Sequence, residues 1–134
     1  MKAAFLPALV LPAVVLAPLT LGACTHEPRE MPPPSPAAEV TGPARDCLPL
    51  TQFSSTRIRD DRTIDFFGTG SKVWRVTLPN RCGGLKAADT FTYETSLSQL
   101  CRNDIIYPLR QFGSSFQRGA GCGMGPFVPV KIVR

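Results

Sequence analysis

The chain has 134 residues, including 14 Pro, 11 Gly, 5 Cys and a single His, and its excess of Lys and Arg gives a net charge of +5 at pH 7. This length fits one domain, and it excludes a two-domain enzyme or a doubly wound nucleotide-binding fold. The sequence indicates where the protein goes and what kind of domain it carries, but it does not indicate a biochemical activity.

The chain opens with an apolar segment after a short positive start. Residues 3–21 carry no charge and are mostly Ala, Leu, Val and Pro. A stretch of about 20 apolar residues could also span a bilayer as a helix. Its three prolines disfavour that alternative, because each removes a helix N–H and restrains the preceding residue. Residues 1–23 are therefore predicted to be a signal peptide.

The end of this segment, Leu21-Gly22-Ala23-Cys24, resembles the lipobox of bacterial lipoproteins. The resemblance implies cleavage before Cys24, a diacylated thiol, and an acylated amino group, with palmitate among the acyl chains. An ordinary signal-peptidase site after Ala23 is the alternative. Several acyl chains give stable membrane attachment, whereas one binds only marginally. In enterobacterial lipoproteins an Asp after the Cys favours the inner membrane, so Thr25 implies the outer membrane, with the protein facing the periplasm.

The number of cysteines agrees with this interpretation. Five is an odd number, and assigning Cys24 to lipid leaves an even set in an oxidising compartment. Two disulfides are predicted among the remaining four residues, Cys47, Cys82, Cys101 and Cys122. Three pairings are possible, and we favour Cys82–Cys101 with Cys47–Cys122. A zinc site would favour close pairs of cysteines, whereas 34, 18 and 20 residues separate these, so no metal is expected.

Composition divides the rest of the chain into two parts. Residues 24–45, the lipidated Cys and a linker rich in Pro, are too poor in apolar residues to bury a core. Residues 46–134 are predicted to form one small domain held by disulfides.

Alternating apolar and polar residues predict strands in the first half of this domain. Three-residue loops at 60–62 and 69–71 would pair Ile58 with Ile64 and Phe66 with Trp74. This register places apolar residues on one face and an Arg57–Asp65–Arg75 row on the other. A slip of one residue would set Asp65 opposite an apolar residue, so the register is well specified.

The second half is predicted from turn and capping signals. Ser96 and Gln99 resemble a capping box and predict a short helix carrying Leu97, Leu100 and Cys101 on one face. A short strand at 105–107 would end at Pro108, and residues 110–125 would form a loop. The last strand, 127–133, is predicted at a sheet edge because Pro129 cannot donate to a ladder. The expected fold is mainly β, a small antiparallel β-barrel or sandwich with one short helix, held by disulfides.

The four cysteines and the motifs between them resemble an uncharacterised family of exported Gram-negative proteins, a domain of unknown function. The motifs are Ser55-Thr56-Arg57, residues 60–64, Leu78-Pro79, Arg81-Cys82, Gly84-Leu85, Phe91-Thr92-Tyr93, Leu100-Cys101, Asp104-Ile105-Ile106 and residues 121–127. The resemblance covers most of residues 46–127. It implies export but brings no activity, cofactor or catalytic residue.

Candidate chemistry in the domain is sparse. The domain contains no His, and its Cys are expected to be oxidised. It therefore has neither a His base nor a free thiol for nucleophilic catalysis. An Asp-based envelope hydrolase is the alternative function, drawing on Asp60, Asp61, Asp65, Asp89, Glu94 and Asp104. Residues 121–125 lack the spacing and the following helix of a phosphate-binding loop. No catalytic residue and no cofactor are assigned.

The positive charge predicts the kind of partner. Arg57, Arg59, Arg62 and Arg75 could share an exposed sheet face and bind an anionic envelope component, such as lipid headgroups, lipopolysaccharide phosphates or peptidoglycan carboxylates. A solvated, salt-bridged face is the alternative. Export removes nucleic acid as a partner. We therefore expect a lipid-anchored envelope protein acting as a non-enzymatic structural or binding module, or as an accessory subunit of another envelope protein.

Overall fold

The computed structural model describes residues 36–133. The predicted signal peptide, Cys24 and the first part of the linker lie outside the described residues. The strands are, in chain order, β1 (Ala38–Val40), β2 (Cys47–Pro49), β3 (Phe53–Ile58), β4 (Thr63–Gly68), β5 (Val73–Thr77), β6 (Phe91–Tyr93), β7 (Gln99–Cys101), β8 (Ile105–Phe112), β9 (Ser115–Arg118), β10 (Cys122–Gly123) and β11 (Phe127–Ile132). A 3-10 turn (Leu50–Gln52) and a one-turn helix, α1 (Leu85–Ala88), complete the described elements.

Three antiparallel sheets share one core. The largest has the order β1-β11-β5-β4-β3, the second has β10-β8-β6 with β9 added to β8, and the third pairs β2 with β7. The core contains Phe66 and Val76 from the largest sheet, Ile106 from the second and Leu48 from the third, all fully buried. The mainly β, antiparallel class held by disulfides is confirmed, and the sheets do not close into a barrel.

The predicted register of the central strands is confirmed. Ile58 pairs with Ile64, and Phe66 pairs with Trp74. Both three-residue loops form, closed by Arg59 N–H to Thr63 O at 2.8 Å and by Gly68 N–H to Lys72 O at 2.9 Å. The first loop contains no glycine. The carboxylate of Asp60 accepts the N–H of Arg62 at 2.7 Å instead, an Asx turn that stabilises the reversal.

The predicted disulfide pairing is wrong. Cys47 bonds to Cys101, and Cys82 bonds to Cys122. Cys47 and Cys101 are direct cross-strand partners in β2 and β7. The second disulfide ties the segment after β5 to β10. The two disulfides close segments 47–101 and 82–122, which overlap along the chain. Together they cross-link nearly the whole domain.

The predicted helix after Ser96 is absent, which explains the wrong pairing. The Thr95 hydroxyl accepts the N–H of Leu97 at 3.2 Å and lies 3.0 Å from the carbonyl oxygen of Gln99. Such local side-chain bonds compete with helical backbone bonds. Gln99–Cys101 is therefore extended as β7, and it carries Cys101 to Cys47 rather than to Cys82. The described helix, α1, lies earlier in the chain.

Both proline-based predictions in the second half are wrong. Strand β8 continues through Pro108, and the predicted loop contains β9 and β10. Strand β11 lies inside the largest sheet between β1 and β5. Thr41 N–H donates to the Pro129 carbonyl at 2.9 Å, so this carbonyl points away from β5, towards the segment that follows β1. The N–H and C=O of one strand residue point to the same side, so the N–H that Pro129 lacks would also point away from β5. A proline there costs no ladder bond with β5.

The folded part also begins earlier than predicted. Residues 38–40, assigned from sequence to the linker, form β1 and pair with β11. Arg45 and Phe127 then exchange two backbone hydrogen bonds of 2.8 Å. The segment 41–45 is therefore fixed against β11 at both ends. Among residues 36–133, the helical segments are far too short to cross a lipid bilayer.

Candidate functional site

A buried carboxylate lies on the face of the largest sheet opposite to that of Ile64 and Phe66, and it binds two arginines there. Asp65, in β4, is fully buried. Arg75 on β5 donates to both of its oxygens, from Nε at 2.7 Å and from Nη2 at 2.9 Å, and Arg59 Nε donates to Oδ2 at 2.7 Å. The remaining Nη1 of Arg75 donates to the carbonyl of Pro36 at 2.9 Å. We call Asp65, Arg59 and Arg75 the Asp65 cluster.

The four arginines of the predicted anion-binding face do not form one exposed patch. Arg75 and Arg59 are held by Asp65, with side chains only 9% and 17% exposed. Arg62 donates to the carbonyls of Leu78 and Pro79 at 2.7 and 3.1 Å. Arg57 is exposed, and it shares the ring of Phe67 with Arg59 at 5.8 and 5.9 Å from the centroid. Asp65 does bind two arginines, but the second is Arg59 rather than its direct neighbour Arg57.

A shallow cleft of about 400 Å³ remains beside Arg57, lined also by Arg59, Lys86 and Asp89. Lys86 Nζ donates to the Ile58 carbonyl at 2.9 Å and lies 3.7 Å from Asp89. Arg59 and Lys86 already have hydrogen-bonding partners in the protein, and the Arg57 guanidinium lies over the Phe67 ring. A bound anion would also meet the carboxylate of Asp89, so the geometry gives little support for strong anion binding here.

The carboxylates of residues 46–133 are used in structural contacts. Asp60, Asp61 and Asp104 accept backbone N–H groups, whereas Asp46, Asp89 and Glu94 each pair with a Lys or Arg side chain. Asp65 is enclosed by its arginines. No group of three or more metal-ligating side chains lies together in the part of the chain that the structure describes. Its four cysteines are disulfide-bonded.

The environment of Asp61 favours the charged form of its carboxyl group. Its Oδ1 accepts the backbone N–H of Lys86 at 2.8 Å, and Arg81 Nη2 lies 2.9 Å from Oδ2. The Lys86 hydrogen bond, opposed by partial burial and helped by Arg81, holds the pKa of Asp61 below its usual value of 3.8. A hydrolytic general acid requires the opposite shift.

The lowered pKa predicts a pH-dependent contribution to stability. A carboxyl group with a lower pKa in the folded state stabilises the fold above its unfolded pKa of 3.8, and that contribution is lost as pH falls through the folded value. We expect Asp61→Asn to be less stable than wild type at pH 7. The difference should shrink below about pH 3.8 in urea unfolding measured across pH. A difference that stays constant down to pH 2 would contradict this assignment.

A second and larger cleft, about 610 Å³, lies at the end of the largest sheet beside the β4–β5 turn. We call it the Trp74 cleft. Trp74 and Pro129, direct cross-strand partners, line it together with three cations and an amide from different parts of the chain. These four residues are Arg45, Lys72, Lys131 and Gln52. Among residues 36–133, no carboxylate lines this cleft.

Sequence reasoning missed this cleft for a specific reason. It assigned Arg45 to the linker and placed β11 at a sheet edge, so nothing brought Arg45 and Lys131 beside Trp74. Two features of the sequence could have pointed to the cleft. Gly70 marks a turn two residues before Lys72, and Trp74 lies near the start of the following strand, so both side chains were expected at the same end of the sheet. Comparison of the chain with protein-family models, with curated proteins and with solved structures gave no match.

Proposed function

We propose that this protein is a lipid-anchored component of the bacterial cell envelope whose disulfide-bonded β domain serves as a non-enzymatic binding or structural module. The observation that carries the proposal is the complete use of four cysteines in two disulfides. Disulfides of this kind persist in exported proteins and are rare in the cytosol. They leave Cys24, in its lipobox-like context, as the one cysteine without a role in the described fold.

The arrangement of the carboxylates supports a binding role over hydrolysis. A glycoside hydrolase needs two carboxyl groups flanking one bond, one of them with a raised pKa. Here Asp65 is buried between two guanidinium groups, and the pKa of Asp61 is lowered by its hydrogen-bond donors. No observation in the described part of the chain favours the Asp-based hydrolase.

The proposed location is the outer membrane, with the domain facing the periplasm. Its support is the Leu21-Gly22-Ala23-Cys24 sequence followed by Thr25, together with the resemblance to exported Gram-negative proteins. The excess of basic residues favours an anionic envelope component as partner, and an accessory role beside another envelope protein fits the same features.

Acyl labelling of the full-length protein tests the anchor. We expect the chain expressed in a Gram-negative host to incorporate a clickable palmitate analogue and to sediment with membranes. Cys24→Ala should lose the label and leave the membrane fraction. Cys47→Ala is the matched control, because it removes another cysteine, and it should keep the label. An unlabelled wild-type chain, or label that persists in Cys24→Ala, contradicts the proposal.

A further inference from the structure

The Trp74 cleft has the electrostatics of an anion-binding site. Arg45, Lys72 and Lys131 line it, and none of them has a carboxylate within 4.0 Å among residues 36–133. Glu39 is the nearest acidic residue along the sheet, opposite Lys131 in the β1–β11 pair, but it neither lines the cleft nor forms an ion pair. The cleft therefore keeps a net positive charge, because a single neighbouring carboxylate, that of Glu39, faces three cations.

The floor of the cleft is apolar and fixed in place. Trp74 is only 6% exposed, and its ring is held beneath Gly68, where an added Cβ would lie 2.7 Å from Trp74 Cζ3. Pro129 lies directly opposite Trp74 on β11. Most of the Trp74 ring is packed in the core, so Pro129 and the exposed edge of Trp74 give a narrow apolar strip against which C–H groups of a sugar can pack.

The walls of the cleft supply neutral polar groups next to this floor. The hydroxyls of Thr41 and Ser71 can donate and accept, and the amide of Gln52 can do both. Gln52 Oε1 also accepts from Arg45 Nη1 at 3.3 Å, which orients the guanidinium. Because segment 41–45 is hydrogen-bonded to β11 at both ends, this wall is already formed without a ligand.

The size of the cleft fits more than a single small anion. Its volume of about 610 Å³ lies within the range of roughly 300–1,000 Å³ that is usual for small-molecule sites. An inorganic ion would use the cations and leave the Trp74 and Pro129 surface and the hydroxyls unused. A ligand that uses all of these features is polar, rich in C–H surface and negatively charged.

We propose that the Trp74 cleft binds an anionic saccharide, a sugar bearing a carboxylate or a phosphate group. The inference rests on the proposed envelope location, because peptidoglycan and lipopolysaccharide supply such sugars there. The cations bind the anionic group, the hydroxyls and amide bind the sugar hydroxyls, and the Trp74–Pro129 floor packs against the ring. The ligand site is thus distinct from the predicted arginine face.

Trp74 is the single tryptophan of the chain, so its fluorescence reports directly on the cleft. The full-length protein in detergent is titrated with a carboxylated disaccharide (N-acetylglucosaminyl-N-acetylmuramic acid) and with a phosphorylated glucosamine. Neutral diacetylchitobiose, sodium acetate and inorganic phosphate serve as comparisons. We expect a saturable change with at least one anionic sugar, and binding at least tenfold weaker for each comparison compound. The two anionic probes distinguish a carboxylate-bearing from a phosphate-bearing ligand.

Charge-matched variants locate the binding. Lys72→Gln with Lys131→Gln should weaken binding of the anionic sugar at least tenfold. Arg57 and Arg110 are exposed and do not line the cleft, so Arg57→Gln with Arg110→Gln removes the same charge elsewhere and should leave binding unchanged. The proposal is overturned if neither fluorescence nor titration calorimetry detects an anionic sugar, if a comparison compound binds equally well, or if the control variant loses as much affinity.

The outcome is separable from that of the lipid anchor. Cys24→Ala leaves the described domain untouched, so its full-length chain should bind the anionic sugar as wild type does. A wild-type chain that takes up no acyl label but binds the anionic sugar would contradict the anchor alone. A wild-type chain that is labelled but binds no anionic sugar would contradict the cleft alone.

Discussion

Asp65→Asn is expected to destabilise the domain by about 3–5 kcal/mol, because it leaves the buried guanidinium of Arg75 without its counter-charge. Arg75 donates to both oxygens of Asp65, and neither side chain is accessible enough for water to replace the carboxylate. The substitution preserves the shape of the side chain, so the loss reports on charge rather than on packing. Urea unfolding followed by Trp74 fluorescence measures it.

Two further variants separate this effect from ordinary ion pairing. Asp89→Asn makes the same chemical change in a solvent-exposed pair with Lys86 and should cost less than about 1 kcal/mol. Replacing the whole Asp65 cluster, Asp65→Leu with Arg59→Met and Arg75→Met, should recover much of the stability lost in Asp65→Asn, because no member of the cluster is left as an unpaired charge. Equal stabilities of Asp65→Asn and Asp89→Asn would contradict the structural role of the Asp65 cluster.

Removing the Cys47–Cys101 disulfide is the second change with a large expected effect. This bond joins residues 54 positions apart, and loop-closure entropy gives it a stabilising contribution of about 4 kcal/mol. We expect the double variant Cys47→Ala with Cys101→Ala to lose about that amount in urea unfolding. For a domain of this size the loss is a large share of the total stability.

Single substitutions test the pairing itself. Cys47→Ala should expose one thiol, located at Cys101 by alkylation and peptide mapping, and Cys82→Ala should expose Cys122. The pairing predicted from sequence gives the opposite result, with Cys122 freed by Cys47→Ala. A thiol at that position would contradict the connectivity described above.

The central strands were predictable because each register constraint is local. Alternation places Ile64, Phe66 and Trp74 on one face, and a shift of one residue would oppose Asp65 to an apolar side chain. Short loops of defined length then fix the pairing. The involvement of two arginines with Asp65 could also be predicted, although the diagonal partner Arg59 binds where the direct neighbour Arg57 was expected.

The remaining elements depend on contacts between distant parts of the chain. Ser96 and Gln99 resemble a helix cap, but pairing with β2 and the hydrogen bonds of Thr95 favour a strand at Gln99–Cys101. Residues 38–40 pair with β11, so β11 lies in the interior of the sheet and not at its edge. The sequence around residues 38–40 has the composition of a linker and does not predict this pairing. Disulfide connectivity follows from these pairings and could not be derived from spacing alone.

The Trp74 cleft was unpredictable for the same reason. Its cations come from a segment assigned to the linker, from a turn and from the last strand, and only the folding of segment 41–45 onto β11 assembles them. The predicted arginine face failed as a free patch because a sheet face with a carboxylate at its centre uses its arginines internally.

Non-reducing peptide mapping of the full-length protein recovered from membranes tests the anchor and the disulfides together. We expect a mature chain that begins at an acylated Cys24, together with two cross-linked peptide pairs, Cys47 with Cys101 and Cys82 with Cys122. A chain that retains residues 1–23, or that carries free thiols at these four positions, would contradict it.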